Sequence, residues 1–390
     1  MAGSIVTTNI LGTVVAMGLA TLRERLALVM IANRDYEKEI TAAKRFATVN
    51  VAVPAAVATR TVAPDVVPPA VTAVTPSMVP VTLSEWKEAP FAMDDKGLSQ
   101  VDRGILPMQA AEAIKGLANT IEDFLWSLYT KSYGYAGVAG TTPFATDLSA
   151  YLEARKVANN QLMDMDPRFM VIDTDAEANA LGLRAIQDAS FRGDTDGIIN
   201  GQIGRKLGAL WLMTQRVPFH TSGTYAYPGT PYEVNNGAGY AIGIKTITVD
   251  GGALGTLVVG DIIQFVGLTG TSGHTQTYTV VSTVGGSTIT SITFEPGLVV
   301  AIVDNEDIAK RGSHRLNSLI HRDAIAFAMA PLIDTVIVPG ATNQAVAIDE
   351  VSGLSLRLEV TRQHRQVQWS FDALYGASVV RPNAWVRLAG

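Results

Sequence analysis

The sequence predicts an α+β chain carrying an inserted all-β barrel or sandwich, and three observations predict it. Apolar residues recur at helical spacing in some segments and in strand-like runs in others, on both sides of the chain's middle. From Thr221 to Gly312 the chain turns into short strand-like runs and Gly-rich turns with little charge. Phe46–Ser84 carries proline at 54, 64, 68, 69, 76 and 80, with only Arg60 and Asp65 charged.

In chain order, Ile10–Ala20 has the look of a signal-peptide core, but no basic side chain precedes it, and Arg23, Glu24 and Arg25 break it too early to span a bilayer. Leu19–Glu39 follows with Leu22, Leu26, Val29 and Met30 at helical spacing, so an amphipathic surface helix is expected. Phe46–Ser84 cannot be helical, because proline removes donors and clashes with the preceding turn. Its Val and Thr favour extended chain. It lacks the charge of a disordered linker. An extended arm or hairpin is expected, ordered against its own chain or another copy, since a lone two-stranded ribbon is marginal.

Pro107 marks a helix start. Ala110, Ile114, Leu117, Ile121, Phe124, Leu125 and Leu128 then draw one stripe along a helix from Met108 to Tyr129. A Gly-rich turn is expected at Gly134–Thr142. Helices are expected at Thr146–Leu162, with Asp147 and Ser149 as capping residues, and at Asp175–Phe191, with Asp173 or Asp175 as cap. Strands are expected at Arg168–Ile172 and Ala209–Val217, completing an α/β-like layer. In the insertion, Ile242–Val249, Asp261–Val266, Thr277–Val281 and Ser287–Phe294 read as strands. Asp323–Leu332 reads as a helix, with His321 at its cap. Leu354–Val360 and Gln366–Phe371 read as a closing strand pair. There is no internal repeat.

Composition bounds the function. The 390 residues are 47% hydrophobic and 17% charged, so the apolar excess has to be buried within the fold or against partners. A net charge of −6 argues against coating nucleic acid through its phosphates. With no cysteine, disulfides and thiolate metal sites are excluded.

No catalytic constellation emerges, and no enzyme is expected. The histidines at 220, 274, 314, 321 and 364 show no metal-ligand spacing, and His274 lies in a Gly/Ser/Thr loop. Asp194-Thr-Asp196-Gly197 hints at a calcium loop, but the twelfth position is Arg205, so a turn is expected. Gly197, Gly201, Gly204 and Gly208 match neither a dinucleotide fingerprint nor a Walker loop, and turn geometry accounts for them. There is no G-x-S-x-G elbow. Trp126, Trp211, Trp369 and Trp385 sit in apolar settings and read as core. No cofactor and no metal are expected.

The order of these elements resembles the major capsid proteins of tailed phages, the Hong Kong ninety-seven fold, and in particular the podophage coat-protein branch. The resemblance is carried by Met78–Phe91 leading into Pro107–Tyr129, by Gly201–Gly208, Val217–His220, Ser318–Ala330 and Asp372–Gly376. It implies an N-arm at 1–40, an E-loop at 41–100 and a spine helix with peripheral domain at 101–137. It further implies an axial domain at 138–222 and 313–350, an inserted β domain at 223–312 and closing peripheral strands at 351–390. The E-loop lysine crosslink of some members is not carried over: the apolar arm has no lysine, and Lys87 and Lys96 lie beyond it.

The implied function is a coat protein that self-assembles, as pentamers and hexamers, into an icosahedral shell around double-stranded DNA held without sequence-specific binding. A separate scaffolding protein is expected, because the sequence begins directly in the arm. A portal protein and a decoration protein are the other implied partners, with no membrane association. The expected location is the virion capsid, assembled in the host bacterial cytoplasm. Subunit contacts are placed at Val66, Val67, Val71, Val74, Met78, Val79 and Trp86. The rival readings are an encapsulin-like compartment shell, a surface carbohydrate-binding or adhesion protein, and a hydrolase with a hidden triad.

Overall fold

The computed structural model describes residues 18, 26–35, 48–54, 57, 59, 61–62, 73–100, 105–188, 201–251, 254–266, 276–332, 343–348 and 354–390. Helix and strand are mixed, and the insertion forms a closed six-stranded barrel. The chain divides into two compact units. One is Met1–Arg23, Asn33–Leu117 and Ile325–Arg381; the other is Glu24–Ala32, Ala118–Ala324 and Pro382–Gly390.

The first unit is organised by the long strand Gln366–Val379. It pairs along its length with Glu85–Asp94, with Ser355–Gln363 and with Ile325–Ala330, and Asn343–Ile348 extends the sheet. The expected closing pair is present, joined by the turn at His364 and Arg365. The arm is a hairpin, as its composition predicts: Thr48–Val53 pairs antiparallel with Ser77–Thr82. Val51 and Val81 point one way and pack with Leu83 on Ala326, Ala328, Ala330 and Leu374. Part of the surface the ribbon needs therefore comes from its own chain. The approach is close: a Cβ on Gly376 would stand 1.9 Å from the Thr82 carbonyl oxygen.

The predicted helix at Asp323–Leu332 is absent. A 3-10 turn at Arg322–Ala324 leads into the strand Ile325–Ala330, whose six residues are all buried. A short apolar run without alternation fits a buried strand as well as a buried helix, and here pairing with Gln366–Val379 decides it. His321 accordingly ends a strand, opposite Arg168, and caps nothing helical.

The second unit centres on a mixed sheet in the order Gly134–Gly137, Trp385–Ala389, His314–His321, Arg168–Ile172, Ala209–Met213, Arg205–Lys206, with Phe219–His220 pairing beside His314–His321. Gly134–Gly137, expected as a turn, is an edge strand parallel to Trp385–Ala389. The predicted strand at Ala209–Val217 stops at Met213. The helix expected from Thr146 starts at Ser149, and Asp147 accepts the Ser149 N–H just ahead of it. Asp173 caps Thr174–Gly182 by accepting the Ala176 N–H at 3.0 Å. A short turn of helix follows at Arg184–Gln187. The remainder of that expected helix, the Asp194–Gly197 turn and His274 lie outside the described residues.

The predicted long helix runs over Ile105–Ser127 and passes from one unit to the other between Leu117 and Ala118. Pro107 falls in its first turn, where no N–H partner is needed. Of its predicted stripe, Ala110, Ile114, Leu117, Ile121 and Leu125 are buried, while Phe124 and Leu128 are half-buried. Of the expected helix over Leu19–Glu39, the described residues show helix at Ala27–Ile31, ended by extended Ala32.

The barrel runs around in the order Thr246–Asp250, Ser291–Glu295, Tyr278–Val284, Ile262–Val266, Asp307–Lys310, Tyr232–Val234 and back to Thr246–Asp250. Four of these strands lie within or overlap the predicted ones. The two that close the circle, Tyr232–Val234 and Asp307–Lys310, are too short to declare themselves by alternation. Inside, Phe265, Tyr278 and Phe294 meet edge to face at 5.1–5.6 Å. The buried Tyr232 hydroxyl donates to the carbonyls of Gly255 and Ser287, tying loops across one end.

Candidate assembly surface and barrel joint

Two places can serve an assembling protein: an apolar surface left open on the arm and its neighbouring strand, and the joint that fixes the barrel. The hairpin is two-faced because strand side chains alternate. With Val51 and Val81 turned inward, Met78 and Pro80 turn outward, and Met78 is 57% exposed. Val79 is half-buried and Val74 exposed. Val66, Val67 and Val71 lie outside the described residues.

Trp86, in the strand Glu85–Asp94, is 60% exposed, an unusual cost for so large an apolar ring. It is nonetheless fixed. Its indole N–H donates to Asp372 at 2.9 Å, and Asp372 is gripped in two-pronged fashion by Arg357, whose Nε donates to Oδ1 at 2.9 Å and whose Nη2 donates to Oδ2. That bond and the carboxylate's charge hold the Arg357 guanidinium above its usual range. Further along the same strand, Phe91 stacks on Trp369 at 5.3 Å, so Trp369 is a half-buried sheet-surface ring and not a core residue. Trp126, Trp211 and Trp385 are core, as expected.

The barrel joint went unrecognised in the sequence. Arg387, in the last strand, is fully buried. Its Nε donates to Ser132 Oγ at 2.8 Å and its Nη1 to the Gly260 carbonyl at 2.6 Å. Its Nη2 reaches the Ser132 and Tyr129 carbonyls at 2.6 and 2.8 Å and Thr279 Oγ1 at 3.3 Å. The guanidinium also lies 5.0 Å over the Tyr129 ring. Gly260 and Thr279 belong to the barrel; Ser132, Tyr129 and Arg387 belong to the sheet side of the same unit. Thr277 and Thr279 add hydroxyl bonds to the Tyr133 and Thr130 carbonyls at 2.6 and 2.9 Å. Burial pulls the Arg387 pKa down to about 9, and the Tyr129, Asp261 and Tyr135 charges counter that pull.

Beside it, Asp261 is completely buried. One oxygen accepts His220 Nε2–H at 2.8 Å, and the other accepts the N–H groups of Gly223 and Val258 at 3.1 and 2.8 Å. With its proton on Nε2, His220 turns Nδ1 to the Tyr129 hydroxyl at 2.9 Å. The line Tyr129–His220–Asp261 resembles a relay in outline, but its histidine and carboxylate are sealed in the joint and serve to lock it. His314 lies nearby, its ring tilted against the His220 ring at 5.4 Å. It donates Nδ1–H to the Gly312 carbonyl at 2.8 Å and is held neutral by burial, which pulls its pKa down to about 4.

The glycine run behaves as a turn, as expected. Gly201, Gly204 and Gly208 all have positive φ, and Gly208 with Leu207 forms the tight link between Arg205–Lys206 and Ala209–Met213. Among the described residues no group of His, Asp and Glu is placed to hold a metal ion, and no helix is long and apolar enough to cross a membrane.

Residues 91–262, from within the strand Glu85–Asp94 to the start of the barrel strand Ile262–Val266, match the family described as phage capsid protein. No curated protein matches the chain. Among solved structures, a chain from Mycobacterium phage Che8 is similar at 15% identity and TM-score 0.47, covering 93% of this chain and 90% of that one. The capsid structure of cyanophage P-SCSP1u is similar at 9% identity and TM-score 0.47, covering 88% and 83%. A virus-like particle from Pyrococcus furiosus is similar at 9% identity and TM-score 0.42, covering 96% of each chain. The likeness to the phage capsid protein family is carried by residues 91–262 of this chain.

Proposed function

We propose that the chain is a tailed-phage major capsid protein that self-assembles into an icosahedral shell enclosing double-stranded DNA. The family match over residues 91–262 carries this reading. Under it, the shell is built of pentamers and hexamers, and the hairpin Thr48–Val53/Ser77–Thr82 is the E-loop. The outward side chains Val74, Met78 and Trp86 are contacts to a neighbouring copy, and Val79 backs them. The open apolar surface on the arm supports this, because isolated monomers gain nothing from exposing Met78 and Trp86. The barrel is the inserted domain, and its buried arginine joint supports a fixed outward module over a loosely tethered one. A scaffolding protein, a portal protein and a decoration protein are the partners such a shell uses, with assembly in the host bacterial cytoplasm. The net charge of −6 leaves packaged DNA free to slide along the wall.

The test is electron microscopy and sedimentation of the purified full chain, with and without Met78→Asp. Wild-type protein is expected to form closed shells. The variant is expected to keep its circular dichroism spectrum and lose most of its assembly. A wild-type chain that stays monomeric under all assembly conditions overturns the shell. Normal shells from the variant overturn the role of Met78. Shells filled with protein cargo in place of DNA would favour a cellular compartment.

A further inference from the structure

Within the buried part of the helix Ile105–Ser127, between Ile121 and Leu125, stands a carboxylate. Glu122 is 1% exposed. Both of its oxygens lie 3.3 Å from the Leu28 N–H. Leu28 lies in the first turn of the short helix Ala27–Ile31, whose N-cap residue, Leu26, offers no side-chain acceptor. A free amide at a helix start needs a partner when water is excluded. Glu122 supplies it from 94 residues away.

The segment so held is a greasy strap. Leu26, Leu28, Val29, Ile31 and Ala32 are buried, while Met30 faces out. It contains no titratable side chain. The charged groups facing Glu122 are Asp123 on its own helix and Arg216, from the segment after Ala209–Met213. The Trp126 indole lies one turn along the helix. Arg216 is engaged by Asp123 in a two-pronged pair, Nε to Oδ1 at 3.0 Å and Nη2 to Oδ2. Glu122 is thus left in an apolar setting with a main-chain amide as partner.

We propose that Glu122 is a proton-controlled latch: protonated, it holds the strap Leu26–Ala32 in place, and ionised, it favours the strap's release into water. Burial drives this, raising the Glu122 pKa to about 7, with Asp123 adding to the rise and the Leu28 N–H, Arg216 and Trp126 opposing it. Once the strap lifts, the carboxyl is hydrated and returns to its ordinary value near 4.5. The held state then binds more protons than the released one. The hold is complete below about pH 4.5, weakens as pH rises toward 7, and stays weak above it. The gap between the two values corresponds to a change on the order of a hundredfold in the strap's opening equilibrium. The latch acts within one chain and is independent of the shell reading.

The test is hydrogen exchange of the full chain at pH 5 and pH 8, corrected for the intrinsic pH dependence of amide exchange, read on peptides covering residues 26–32. Protection there is expected to fall on the order of a hundredfold at the higher pH. Protection in the strand Arg168–Ile172 should hold steady. Glu122→Gln, neutral at every pH, should keep the strap protected at pH 8. Equal loss in the strap and the strand, or the same pH response in the Gln variant, overturns the latch. A carboxyl-carbon NMR titration of Glu122 in the wild-type chain gives a second reading that needs no variant. A midpoint near 7 supports the latch, and one near 4.5 overturns it.

Discussion

Replacing Arg387 with methionine tests whether the barrel is locked to its own unit. Methionine fills much of the volume but offers no donor. Three acceptors lose the arginine donors described above: the carbonyls of Ser132 and Gly260 and the Ser132 hydroxyl oxygen. The Tyr129 carbonyl keeps its bonds from the Ser132 N–H and hydroxyl. A buried acceptor left without a partner costs about 1–3 kcal/mol. Asp261 at the same time loses the favourable field of a buried cation. Removing one member of a buried charged network costs about 3–5 kcal/mol, and the two ways of counting agree. Arg387→Met is therefore expected to lose about 3–5 kcal/mol in urea unfolding followed by far-ultraviolet circular dichroism. Exchange protection of Tyr278–Val284 should fall with it, because Thr279 loses one of its two ties to the sheet side and keeps only its bond to the Thr130 carbonyl. Arg387→Lys should lie between wild type and the methionine variant, since one ammonium reaches fewer acceptors than a planar fork. A methionine variant within about 0.5 kcal/mol of wild type, the scatter of an ordinary surface substitution, would refute the lock.

Two further outcomes follow from the same geometry. His314 is buried and neutral in the folded chain, so its stability contribution is complete above its ordinary value of 6.5 and is lost as pH falls toward about 4. Across that window His314 should take about 3 kcal/mol from stability while Glu122 gains in the opposite sense, so the urea-derived stability of wild type relative to His314→Gln should fall by about 3 kcal/mol as pH drops; a wild-type-to-variant difference that does not change with pH would remove His314 as a cause. Gly376→Ala drives a Cβ into the Thr82 carbonyl and should cost at least about 1–3 kcal/mol while loosening Ser77–Thr82 in hydrogen exchange; unchanged protection there would show that the hairpin is seated by other contacts.

Much of this protein can be read from local pattern. The long helix shows itself by a stripe of apolar residues at helical spacing, and the arm by prolines that forbid anything but extended chain. The insertion shows itself by its glycine turns and loss of charge. These features depend on residues close in sequence, where periodicity and backbone sterics act. Tertiary structure alone decided the remainder. Ile325–Ala330 became a strand because Gln366–Val379 offered it a ladder, against an apolar run that suits a helix equally well. Arg387 looks like any basic residue near a chain end, and Glu122 like any polar residue on a helix. Only folding brings the Ser132 and Gly260 carbonyls around the one and the Leu28 amide onto the other. Burial, which no local spacing encodes, then turns a common side chain into a lock and another into a proton-sensitive latch.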